Sequence, residues 1–104
     1  MLVTIALPGT VANWVLDTEI NRVEDGHRPG EREWRQAFDK ATIRRIGRGS
    51  VWTFEVSAEA ARELAGELRE RADLEATLPA DERLIRPVLL HRAADRIDAA
   101  AQTA

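Results

Sequence analysis

The chain has no cysteine. Disulfides, thiolate metal sites and cysteine nucleophiles are therefore excluded within it. It has a single lysine, Lys40, against fourteen arginines. Protein physics does not require that ratio, because lysine would solubilise a surface as well. GC-rich codon usage would produce it, which points to a high-GC bacterium, or to a phage or other mobile element living in one. There are only two histidines, His27 and His91, in different elements. No apolar run approaches the roughly 20 residues that span a bilayer. The start MLVTIALPG has neither the length nor the basic flank of a secretory signal. The expected address is the cytoplasm, with no membrane. A glycine-rich phosphate loop is also missing: GRGS at 47–50 precedes a strand, whereas a phosphate cradle follows a strand and opens a helix.

What remains is a globular composition. A length of 104 residues, 44% hydrophobic and 32% charged, corresponds to one domain with a modest core. Val3, Ile5 and Leu7 alternate with Thr4 and Ala6, the period of a half-buried strand. Pro8 and Gly9 end it, and Thr10 is placed to cap a helix from near Val11. Val11, Ala12, Val15, Leu16, Ile20 and Val23 form its apolar stripe, which should stop before Gly26. GHRPG at 26–30 reads as a turn. A second helix starts near Glu31, with Trp34, Phe38, Ala41 and Arg45 along one side and Gly47 as its C-terminal glycine. Ile43 and Ile46 fit that stripe poorly, so TIRRI at 42–46 also reads as one arm of a hairpin with VWTFEV.

The strand phrase then returns. Trp52, Phe54 and Val56 alternate with Val51, Thr53 and Glu55. Ser57 caps a helix with Glu59 in its first turn and Ala61, Leu64, Ala65, Leu68 and Ala72 as a thin stripe. Leu78 and Pro79 belong to a loop, and residues 81–86 suit a short helical turn. A last helix runs from Pro87; there Leu89, Ala93, Ile97 and Ala100 face the core, and residues 101–104 form a frayed tail. A shift of 49 residues lays Val3 on Trp52, Ile5 on Phe54 and Leu7 on Val56. The expected fold is a small α+β domain over residues 1–104. Two short paired strands are backed by about four helices in the order β-α-α-β-α-α, with 1–49 and 50–101 as possible duplicated halves.

That element order resembles the ribbon-helix-helix repressors, whose two βαα subunits pair their strands. The resemblance implies a DNA-binding transcriptional regulator. Such repressors read base edges with polar, often basic, side chains on the outward strand face. Thr4, Ala6, Val51, Thr53 and Glu55 occupy that face in this sequence, without an arginine.

Few residues suggest chemistry. Asp25 and His27 share a turn but lack a third ligand. His91, Asp95 and Asp98 share a helix face, the spacing of an exposed histidine with a carboxylate one turn away. Ser57 is explained as a cap, and Ser50 has no neighbouring base. Glu67 and Arg71 form one of several pairs read as solvated helix surface. Neither catalysis, cofactor nor metal is expected. The strongest electrostatic feature is residues 28–48, net +4, in a chain of net −3. Arg44, Arg45 and Arg48 there are candidate partner contacts, as is Trp14 at the polar edge of its helix. With an acidic second half, a phosphate backbone would meet repulsion beyond the patch. The expectation is therefore a non-enzymatic protein that binds and modulates another protein, with nucleic acid as the alternative partner and homo-oligomerisation left open.

Overall fold

The computed structural model of the chain describes residues 2–20 and 31–102. It holds β1 (Leu2–Pro8), α1 (Gly9–Ile20), α2 (Glu31–Asp39), β2 (Thr42–Ile46), β3 (Gly49–Ser57), α3 (Ala58–Ala76), a 3-10 turn (Ala80–Glu82) and α4 (Pro87–Gln102). The expected end of the first helix before Gly26, the turn at 26–30, Val23 and His27 lie outside the described residues.

The α+β class stands, with one correction. Among the described residues there are three strands, not two, in the order β1-β3-β2, so the element order is β-α-α-β-β-α-α. Residues 42–46 are a strand, and the second helix ends at Asp39. Gly47, expected as a helix C-terminus, has φ 59° in the β2–β3 turn. That left-handed conformation costs glycine nothing. The extra strand breaks the equivalence of the two halves. The phrases at 2–8 and 49–57 do meet, antiparallel, with Val3 opposite Val56, Ile5 opposite Phe54 and Leu7 opposite Trp52.

Alternation decides which face is covered. Val3, Ile5, Leu7, Phe54 and Val56 are buried beneath the helices, whereas Leu2, Thr4, Ala6 and Glu55 are exposed on the opposite face. Trp52, expected in the core, is half-buried in the central strand, between buried Leu7 of β1 and exposed Ile43 of β2. Phe38 of α2 meets Phe54 edge-on at 4.8 Å and Trp52 at 6.4 Å between ring centroids. That geometry suits aromatic quadrupoles. Trp34 is 1% exposed in the same core.

On α3, Ala61, Leu64, Ala65, Leu68 and Ala72 are all buried, as their spacing predicts. Their small size allows α3 and α4 to pack closely along each other. On α4 the buried set is Leu90, Ala93, Ala94, Ile97 and Ala101, so the helix is turned slightly from the expected stripe. The frayed tail is corrected too: Ala101 is in the core and α4 continues to Gln102. Likewise α1 starts at Gly9, with Thr10 inside the helix and not before it. Among the described residues, no helix is long and apolar enough to cross a membrane.

Ser57 caps α3 by accepting from the Ala60 backbone N–H at 3.1 Å. The third helical position is Ala60, so the usual intrahelical glutamate that would receive the cap's own N–H is missing. Glu33 of α2 takes that role: its carboxylate accepts from the Ser57 backbone N–H and, at 2.9 Å, from the Ser57 hydroxyl. At the other end of α3, the Arg83 guanidinium donates to the carbonyls of Glu75, Ala76 and Leu78. The Glu75 carboxylate accepts from the Leu84 N–H. The α3–α4 connection is thereby fixed by otherwise orphaned helix-end groups.

Candidate functional site

The sheet pattern distributes the candidate arginines. On β2, Arg44 faces Val51 and Arg45 faces Ser50 in the neighbouring strand. Adjacent strand residues point to opposite faces, so the two arginines part company. Arg45 joins Arg48 of the turn, together with Gly9, Thr10, Asn13 and Ser50, around a hollow of about 330 Å³. Arg44 stays on the uncovered face. All three are exposed, and among the described residues no carboxylate lines the hollow. Gly9, Thr10 and Asn13 bring the positive end of the α1 dipole to the same side, so the field in the hollow favours an anion.

The hollow exists because α1 leaves the sheet very close to β3. A β-carbon at Gly9 would lie 2.0 Å from the Ser50 hydroxyl. Only glycine lets the start of α1 approach the hairpin so closely.

Trp14 is not part of this hollow. It is half-buried against the core, and the Arg71 guanidinium lies 6.0 Å from its ring centroid. Arg71 in turn pairs with Glu67 at 3.0 Å, with side chains only 19% and 4% exposed. The pair read from sequence as solvated is therefore largely buried, beside Trp14 of α1. Four-residue spacing fits both a surface pair and a buried one, and nothing in the sequence separates them.

The His91 face is already occupied. Arg69 binds Asp95 at 3.0 Å and Asp98 at 2.5 Å, and His91 lies 3.7 Å from Asp73 of α3. Its hydrogen bonds to the Asp98 and then the Asp95 carboxylate hold the pKa of the Arg69 guanidinium above its usual value. A raised cation stabilises the fold fully below its unfolded value and loses that contribution only as pH rises through the folded one. For an arginine that loss falls in strong alkali, so this pair adds no slope near neutrality. Among the described residues, no three histidine, aspartate or glutamate side chains are grouped to hold a metal.

One feature escaped the sequence. The α3–α4 connection and the start of α4 enclose an apolar cleft of about 950 Å³, lined by Leu84, Ile85, Val88 and Leu89 with Arg83 and Arg86 at its edge. Leu84 is 82% and Val88 47% exposed. Read linearly, these residues are loop and helix start. The only available signal was a leucine-rich loop, LPADERLIRP, with more aliphatics than a solvated connection needs. Thr10 lines this cleft as well as the arginine hollow, so the two meet at the start of α1.

No protein-family model, curated protein or solved structure matches the chain.

Proposed function

We propose that this protein is a non-enzymatic interaction module that binds a partner protein through an acidic segment carrying aliphatic side chains. The observation that carries this reading is the shared wall at Thr10. It joins a hollow lined by Arg45 and Arg48, with no carboxylate among the described residues, to an apolar cleft with two solvent-exposed aliphatics. An exposed apolar surface beside a charged one is characteristic of protein recognition. A phosphate backbone would use Arg45 and Arg48 but leave Leu84 and Val88 in water. The net charge of −3 also opposes a polyanion larger than the hollow.

Selection from a random displayed-peptide library tests the reading. Enriched peptides should combine Asp or Glu with Leu, Ile or Val. Arg45→Gln with Arg48→Gln, and separately Leu84→Asp with Val88→Asp, should each weaken a selected peptide about tenfold or more. Arg44→Gln, on the other face, should leave binding unchanged. The DNA-regulator reading is tested in the same series by gel shift at about 150 mM salt. Tight duplex binding that the arginine variant loses would replace the protein-partner reading.

A further inference from the structure

We propose that two copies of this chain associate by pairing their β1 strands, Leu2–Pro8, antiparallel across a two-fold axis. The inference uses a different surface from the peptide site and does not depend on it.

β1 is an edge of the sheet. Its outward groups follow from its partner strand. The Ser57 N–H donates to Glu33, away from β1. In an antiparallel ladder the bonding and non-bonding pairs alternate, so Leu2, opposite Ser57, directs its own N–H and C=O away from β3. Thr4 and Ala6 follow by period two. Among the described residues, no side chain or backbone group bonds to them. An edge strand normally carries a charge, a bulge or a proline in its middle to prevent pairing with another chain. LVTIAL has none of these, and proline comes only at its end. The other edge, β2, is protected in the expected way: Arg44 and Arg45 would face a second copy's arginines. Among the described residues, the sheet thus has one guarded edge and one open, uncharged edge. The partner suited to an uncharged, self-complementary strand is the same strand.

The register follows from which groups point outward. Of the symmetric registers, the one with Thr4 opposite Thr4 of the second copy and Leu2 opposite Ala6 pairs residues 2, 4 and 6 entirely with one another and leaves none against Pro8. About six main-chain bonds then form. Leu2, 61% exposed in the single chain, gains an apolar neighbour on the uncovered face. Val3 and Ile5 extend the apolar row on the helix-covered face, and no like charges meet.

The natural absence of cysteine makes the register directly measurable. In the proposed pair the two Thr4 α-carbons lie about 5.5 Å apart, within disulfide reach. The two Ala6 α-carbons lie about 14 Å apart, beyond it. Under mild oxidation T4C should form a covalent dimer of twice 11.6 kDa, at least about tenfold faster than A6C. In sedimentation from about 5 to 200 µM the wild type should pass from monomer to dimer. Thr4→Pro removes an N–H that β3 does not use and should stay folded by circular dichroism but remain monomeric. A wild type that is monomeric throughout would overturn the proposal. So would A6C oxidising as fast as T4C, whatever the behaviour of the proline variant.

Discussion

Gly9 is the residue on which the arginine hollow depends. A β-carbon there would lie 2.0 Å from the Ser50 hydroxyl and 3.3 Å from both the β-carbon and the carbonyl oxygen of Ser50. The hydroxyl can rotate away, whereas the other two atoms must shift with the strand. Gly9→Ala should therefore cost about 1–3 kcal/mol in urea unfolding. In a Ser50→Ala background the cost should be smaller; an equal cost in both backgrounds would clear the hydroxyl of blame. Arg71 offers a second single-residue test. Arg71→Ala would remove the largely buried ion pair with Glu67 and the cation beside Trp14, at about 1–3 kcal/mol. Replacing Glu67 and Arg71 together by methionine should recover most of that loss. If Arg71→Ala is instead neutral, the pair behaves as the surface pair that its spacing suggested. Sequence placed Trp14 correctly at the edge of its apolar stripe. The cation over its ring comes from α3, 57 positions away, and no local pattern reveals such a contact.

At the scale of elements, β1, β3, α3 and α4 were readable because each has one dry face and one wet face. Alternation and helical periodicity are the imprint of that asymmetry. β2 has no such imprint. All five of its residues are exposed, including Ile43 and Ile46, and it exists because β3 offers a free edge within reach of a tight turn. The poor fit of the two isoleucines to a helix was the available hint. The hairpin should accordingly depend on backbone conformation at Gly47 and little on packing. No atom lies within 4 Å of a β-carbon placed there, so Gly47→Ala meets only the left-handed penalty of about 1 kcal/mol. Gly47→Asn should cost less, since asparagine tolerates that region. Thermal unfolding of the pair distinguishes this from a packing effect, in which the larger asparagine would be worse. The apolar cleft was illegible for a related reason. It is bounded by a connection whose course is fixed by Arg83 and Glu75 closing the end of α3, a tertiary arrangement of polar groups.

For the molecule as a whole, β1 lies in the first half of the chain and, among the described residues, its only strand partner, β3, in the second. A single cluster of buried residues also runs from Val3 to Ala101. The halves 1–49 and 50–104 should therefore be unfolded when made separately, with far-UV circular dichroism lacking native ellipticity, and should regain structure only on mixing. A folded half on its own would revive the picture of two independent βαα units. The Glu33 carboxylate, 24 positions from the cap it completes, makes a related demand on motion. Opening α2 removes the acceptor for the Ser57 amide, so α2 and the first turn of α3 belong to one cooperative unit. In deuterium exchange, the amides of Trp34, Ser57 and Ala60 should share one protection free energy. Glu33→Ala should lower it at Ser57 and Ala60 while the middle of α4 keeps its wild-type rate.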